Sequence, residues 1–323
     1  TNINNLLIIN ITPIFIIEHL PVRFKMQKFN EYSNPYLLLL DVHSPAIVQF
    51  NKSTRQTIPI IEELGGTPDG IAIDPANRLI YWSNMGDDYE ADDGSINVMN
   101  FDGTGRKMLL GNGKIRTPKQ LHLDLVNQRL YWCDREGGMV SSCNIDGSNL
   151  FVHVARPRDK HNKVDILDQC VGITVDVANN WLYWTQKGTP KGNLGRIFRV
   201  PLTPKTQQSA NQRNDIQLLL QDLPEPIDLL LDEETHILYW TDRGAEPDGN
   251  SLNCANITAD GLSHYKVISR GFKEAIGLTY DKPAKLMYVA DLNGGVYQVV
   301  METGEVEKLY QGKNYTGISQ YLG

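Results

Sequence analysis

The chain has 323 residues, of which 41% are hydrophobic and 21% charged, with a formal net charge of −7. Its Lys and Arg residues do not gather in runs, so the basic stripe needed to neutralise nucleic-acid phosphates is missing, which argues against nucleic-acid binding. The length would suit two domains, and only the internal organisation decides between one and two.

Residues 1–34 do not share the pattern of the rest of the chain. An apolar stretch over residues 6–17 is broken by Thr12-Pro13 and is too short to span a bilayer. Neither the basic amino end nor the small-residue cleavage site of a signal peptide is present. The expectation is an N-terminal extension over 1–34, poorly ordered or packed on the domain behind it, with Met26 a candidate natural start. One folded domain then covers 35–323.

Residues 36–61 read as three strands: Tyr36-Leu37-Leu38-Leu39-Leu40-Asp41, then 46–50, then 56–61. Residues 68–110 give the unit in full. Gly70-Ile71-Ala72-Ile73-Asp74 is a short strand and Pro75-Ala76-Asn77-Arg78 a turn. Leu79-Ile80-Tyr81-Trp82-Ser83 is a second strand, rich in the β-branched and aromatic residues that suit a pleated, buried surface. A polar loop leads to a third strand over 95–101. Asp102-Gly103 signals a hairpin turn, and Lys107-Met108-Leu109-Leu110 is the fourth strand.

The same grammar recurs over 119–154, 171–220, 226–268 and 275–310. An Asp precedes a Tyr by seven positions in each copy: Asp74 and Tyr81, Asp124 and Tyr131, Asp176 and Tyr183, Asp232 and Tyr239, Asp281 and Tyr288. The steps between these Tyr residues are 50, 52, 56 and 49. Strand-rich units of that period point to propeller blades rather than helical solenoids. Residues 36–61 lack a first strand, and Thr316-Gly317-Ile318 is a first strand with nothing after it. Pairing the two closes a ring and leaves no exposed sheet edge around it. The predicted fold is all-β: a six-bladed propeller of four-stranded antiparallel blades, closed by the C-terminal strand.

The segments Leu130-Tyr131-Trp132-Cys133-Asp134, Leu182-Tyr183-Trp184-Thr185-Gln186 and Leu238-Tyr239-Trp240-Thr241-Asp242 resemble the YWTD repeats of the low-density-lipoprotein receptor class. The resemblance covers roughly residues 36–323. It implies a propeller used mainly to bind other proteins, here without the Cys-dense EGF-like modules of receptor relatives. It also implies that Trp82, Trp132, Trp184 and Trp240 pack between blades and that Asp134, Asp242 and Asp291 tie one blade's backbone to its neighbour. Asn84 and Gln186 take the same place with altered chemistry, and Asp41 takes it in the first copy, where the rest of the motif is replaced. Val289-Ala290 and Leu38-Leu39-Leu40 depart from the motif.

The four Cys residues (133, 143, 170 and 254) are scattered and have no zinc spacing. Cys133 and Cys143 fall on neighbouring strands, where a bridge is possible, but four thiols in so long a chain read better as reduced. A cytoplasmic location is therefore expected ahead of a secreted one. The sequons beginning at Asn10, Asn51, Asn256 and Asn314 weigh little against it.

In such a blade the second-to-third loops and the inter-blade connections share one face, and here that face carries the long inserts. The opposite face is expected to hold only tight turns. Loops on a rigid scaffold are where binding residues usually sit. Aligning the copies by Tyr places Met85, Arg135, Lys187, Arg243 and Leu292 at one height, so three successive blades offer a cation there. Such an arc can hold a carboxylate or phosphate; the structural alternative is that each cation pairs with an acidic neighbour such as Glu136. The candidate ligand-binding residues are Arg135, Glu136, Lys187 and Arg243, together with Asp69, Lys119 and Tyr315.

A second alignment, three positions before the inner-strand Gly, gives Thr67, Thr117, Gln169, Glu225, Glu274 and Asn314. Oxygen donors on neighbouring blades could hold calcium or another divalent ion, with Glu225, Glu274 and Asn314 as its ligands; solvated or ion-paired side chains are the alternative. The acidic run over 87–93 could attract a cationic partner or simply form a solvated loop. Cys170 and His122 have no positioned partner in the sequence, and no HExxH, P-loop or Gly-x-Ser-x-Gly pattern occurs. The sequence therefore points to a non-enzymatic module binding a protein segment or small anion at the mouth, with no cofactor required. The alternative is a metal-dependent lactonase- or lyase-like propeller enzyme.

Overall fold

The computed structural model describes residues 35–204 and 208–323. The extension over 1–34, with Met26 and the Asn10 sequon, lies outside the described residues.

Six four-stranded antiparallel sheets follow one another along the chain. Blade I joins Tyr315–Tyr321, its innermost strand, to Tyr36–Asp41, Ala46–Asn51 and Thr57–Ile61. Blades II to VI begin with the inner strands Pro68–Asp74, Pro118–Asp124, Cys170–Asp176, Pro226–Asp232 and Ala275–Asp281. Closure has the expected register, with Leu38 opposite Ser319 and Leu39 opposite Ile318.

The recurrent Asp is a turn builder. In blade II its carboxylate accepts from the Asn77 backbone N–H at 3.0 Å and from Asn77 Nδ2 at 2.7 Å. Asp124 and Asp176 do the same with Asn127 and Asn179. This Asx cap holds the next residue in the left-handed region without glycine: Arg78, Gln128, Asn180, His236 and Lys285 all have φ between 52° and 59°.

Tyr and Trp divide the inter-blade packing between them. Tyr81 clusters with Trp132 of the following blade, Tyr131 with Trp184, and Tyr183 with Trp240. Where the motif departs, the substitutes keep the place: Tyr239 meets Val289 and Tyr288 meets Leu39. Blades II to VI thus each insert a Tyr against the next blade's Trp or an aliphatic stand-in.

The motif hydroxyl ties the same junctions with hydrogen bonds. Ser83 Oγ accepts from Gly70 N at 2.8 Å and donates to the Lys119 carbonyl of blade III at 2.6 Å. Thr185 bridges Gly172 N and the Ile227 carbonyl in the same way, at 2.8 and 2.6 Å. The inner strands approach so closely here that a Cβ on Gly172 would lie 2.0 Å from the Ile227 oxygen, so glycine is required. Cys133 holds the equivalent place in blade III with a weaker thiol contact to the Gly172 carbonyl at 3.4 Å. All four Cys residues are free and buried.

One expectation about the faces is corrected. The face opposite the long inserts carries tight turns except in blade IV, where residues 202–216 join Gly195–Pro201 to Gln217–Leu223.

Candidate functional site at the mouth

The motif Asp fixes the loops of the mouth. Asp134 accepts from Arg116 N (2.9 Å), Thr117 N (2.8 Å) and Gly137 N (3.1 Å), clamping the incoming inter-blade connection to the second-to-third loop. Asp242 does this with Glu225 N and Gly244 N, Asp291 with Lys273 N and Gly295 N, and Asn84 with Thr67 N and Gly86 N. Burial raises the pKa of Asp134, and takes that of Asp242 up to about 7, against the opposing pull of these N–H donors. Two of the carried-over positions do not form the clamp. Gln186 is buried with its amide unpartnered, and Asp41 caps its own turn through His43 N and Ser44 N.

The residue after each clamp is pinned in turn. Met85 N donates to the Thr67 carbonyl at 2.8 Å, and Arg135 N to Thr117, Arg243 N to Glu225 and Leu292 N to Glu274, each at 3.0 Å. The two positions aligned in the sequence are therefore neighbours on the mouth, one blade after another.

Charged groups meet across the blades here. Lys187 of blade IV and Arg243 of blade V share one carboxylate, Glu225, at 3.4 and 2.7 Å. Glu225 also accepts from Lys191 N at 3.1 Å. Arg135 pairs with its neighbour Glu136 at 2.7 Å and lies over the ring of Tyr89. Lys119 of blade III reaches Asp69 of blade II at 2.5 Å, and Gln120 Nε2 donates to the same carboxylate at 2.9 Å. The ion-pair alternative raised by the sequence is thus met, yet the pairing is unequal: Lys119, Arg135, Lys187 and Arg243 are matched by only Asp69, Glu136 and Glu225.

The cations sense one another. Burial first, then repulsion from Arg135 and Arg243, brings Lys119 down to about 8 against the pull of Asp69. Lys187 is lowered by burial, with Arg243 and Arg135 adding to the effect and Glu225 opposing it. Beside them Val171, Ile227, Ile276 and Leu292 form a small apolar cluster, and the long-loop face also exposes Tyr89 and Leu194. The mouth thus offers four cations ion-paired to three carboxylates, on the face that exposes Tyr89 and Leu194.

Several proposed residues lie elsewhere. Tyr315 is buried in the cluster between blades VI and I with Leu37 and Tyr288, so it is not part of the mouth. Glu225, Glu274 and Asn314 are committed separately: Glu225 as above, Glu274 to Lys191 at 3.7 Å, and Asn314 Nδ2 to the Leu292 carbonyl. Among the described residues no three His, Cys, Asp or Glu side chains converge as a metal-ion set. The acidic loop is internally bonded, with Asp93 accepting from Asp87 N and Asp88 N and Asp92 paired to Arg116. His122 lines the central channel, where burial brings it down to about 4, and Cys170 is buried against backbone carbonyls.

Two residues escaped the sequence reading. Tyr89 covers Arg135, and Asp228 is a channel carboxyl whose pKa burial raises strongly. A signal for Asp228 existed, since it and Gln120 stand where the inner strands of the other blades have Gly70, Gly172, Gly277 and Gly317.

Aromatic interlock, hydroxyl bridge and Asp clamp, recurring among six blades, define a β-propeller of the YWTD class. No family model matches the chain. It is 40% identical over 257 residues to low-density lipoprotein receptor-related protein 1 of Pyricularia oryzae, an alignment covering 76% of this chain and 82% of that one. The chain belongs to this family of low-density-lipoprotein-receptor-related YWTD propellers. It is also 38% identical over 266 residues to the 3-hydroxyacyl-CoA dehydrogenase-like protein LAM1 of Cochliobolus heterostrophus, covering 78% of this chain but spanning only 56% of that relative.

Among solved structures, a nidogen–laminin complex contains a chain with the same fold. Its TM-score is 0.66 at 18% identity, with 89% of this chain and 98% of that one covered. A Xanthomonas campestris gluconolactonase shares the fold at TM-score 0.58 and 14% identity, over 88% and 87% of the two chains. No helix among the described residues is long and apolar enough to cross a membrane.

Proposed function

We propose that the propeller is a binding module whose mouth captures an acidic segment of a partner protein. The observation that carries this reading is the sharing of Glu225 by Lys187 and Arg243, which leaves the cluster one negative charge short. A ligand carboxylate supplies that charge on a scaffold already ordered by the Asp clamps, so little is lost in ordering the site. The family membership supports binding over catalysis, and the laminin complex of the nidogen relative in fold supports a protein ligand over a small one.

Panning a peptide library against the intact chain tests the reading. Sequences rich in Asp or Glu should be enriched, and Arg135→Ala with Arg243→Ala should abolish their capture while leaving the folded state intact. Enrichment without acidic residues, or capture that survives both substitutions, would refute it.

The fold shared with gluconolactonase keeps an enzymatic reading in view. It calls for a divalent ion at Glu225 and Glu274. Bound metal in the purified protein, lost in both Glu225→Ala and Glu274→Ala, would replace the binding reading.

A further inference from the structure

Blade IV departs from the repeat on the face opposite the mouth. In blades II, III and VI the turn before the outer strand carries a Gly packed against the previous blade. A Cβ on Gly103 would lie 2.7 Å from the Ile60 oxygen, one on Gly147 2.3 Å from the Leu109 oxygen, and one on Gly304 2.4 Å from the Ile268 oxygen. These turns act as knobs that fill the gap between neighbouring outer strands. Blade IV has no Gly between residues 202 and 216. A cleft of about 840 Å³ opens between blades III and IV instead, within the range of small-molecule sites.

The chemistry of this cleft is specific. Leu150 and Phe151, 42% and 46% exposed, form an apolar wall with Val177 and Leu202. The polar lining includes Arg129 and His153, and no carboxylate. The corresponding cleft between blades V and VI is smaller, about 460 Å³, and contains Asp232 and Glu302.

Arg129 is anchored by donating to Asn144 Oδ1 at 2.9 Å and Ser142 Oγ at 2.6 Å, which leaves further N–H groups for a ligand. Ser142 Oγ lies 2.9 Å from His153 Nε2. Since Ser142 is fully buried and already accepts from Arg129, its own hydrogen is best placed on Nε2, which assigns the His153 proton to Nδ1. His153 is only 5% exposed, and its buried Nδ1 lies against the Leu202 backbone, so the ring forms part of the cleft floor.

We infer that this cleft binds a small carboxylic acid with an apolar body. The body packs on Leu150, Phe151 and Leu202, and the carboxylate accepts from Arg129. The guanidinium without a carboxylate partner and the apolar wall each demand one part of such a ligand. Burial keeps His153 neutral, so the attraction rests on Arg129.

Calorimetric titration of the intact chain with octanoate, against octanol as the neutral counterpart, tests the inference. Octanoate should bind saturably, at least tenfold more tightly than octanol. Phe151→Asp places a negative charge on the exposed wall of the cleft, and should weaken octanoate at least tenfold, as should Arg129→Gln. Lys187→Met, at the mouth, should leave octanoate binding unchanged. Absence of saturation at millimolar octanoate, equal affinity for octanol, insensitivity to Phe151→Asp, or loss in Lys187→Met would each overturn it.

Discussion

The hydroxyl of Thr185 donates to the carbonyl oxygen of Ile227, 2.6 Å away on the next blade, while accepting from Gly172 N within its own. One side chain thus satisfies two backbone groups that the close approach of the inner strands removes from water.

Thr185→Val should therefore be costly. It keeps the shape and strands both backbone groups, a loss of about 2–4 kcal/mol by the usual cost of buried unmet partners. Cys133→Val removes only a weak thiol contact and should cost within about 1 kcal/mol. Urea denaturation of the two variants checks the contrast. Equal losses would show that side-chain volume, not the hydroxyl bridge, holds the junction.

Glu225→Gln should leave Lys187 and Arg243 without a counter-charge in a largely buried setting. Breaking such a shared pair costs about 3–5 kcal/mol. An added anion such as sulfate should restore part of the lost thermal stability in the variant and little in the parent. Thermal unfolding with and without sulfate measures both effects. A variant as stable as the parent would mean that the mouth cations are solvated and carry no unmet charge.

The ring was legible because its signals are local and repeated. Asp builds a turn, Tyr and Trp meet across a blade boundary, and a lone inner strand at the end needs the lone outer three at the start. Even the two mouth alignments proved to be hydrogen-bonded neighbours, as Arg243 N and the Glu225 carbonyl show. What stayed hidden depends on side-chain reach between blades. Nothing local says that Lys187 will find Glu225, 38 positions on. Tyr315, expected at the mouth, instead packs between blades VI and I with Leu37 and Tyr288, a contact between distant segments that no local pattern announces. The cleft beside Phe151 arises from a missing knob, and an absence in one copy carries no motif.

The buried His153 and the half-buried channel residue His122 should make the fold sensitive to mild acid. Burial lowers His122 from its ordinary 6.5 to about 4, and His153, with Arg129 and Arg213 adding repulsion, to about 3. Folding then favours the neutral ring, so the stability they contribute is present above pH 6.5 and lost as pH falls toward 4. At pH 5 each should cost about 2 kcal/mol relative to pH 7. Asp242 works the other way: its folded pKa is raised to about 7, so its contribution is full below the ordinary carboxylate value and lost as pH rises through 7. Denaturation at pH 7 and pH 5 should therefore show a smaller acid-induced loss in His153→Gln than in the parent. An identical loss would place the protonation elsewhere.

Ligand capture at the mouth should weaken in mild alkali. Lys119 has a pKa of about 8, so it loses most of its charge between pH 7 and pH 9, and Lys187 is shifted in the same direction. Once Lys119 is neutral, the buried Asp69 charge loses its cationic partner and the mouth becomes less positive. The affinity of an acidic peptide should fall about tenfold over that interval, the scale of one charge-assisted hydrogen bond. Lys119→Arg should flatten the profile by fixing the charge, and Lys119→Met should bind weakly at both pH values. Titrations of parent and variants across pH 7 to 9 decide the matter. A parent profile that stays level would remove Lys119 from the binding surface and leave the task to the arginines alone.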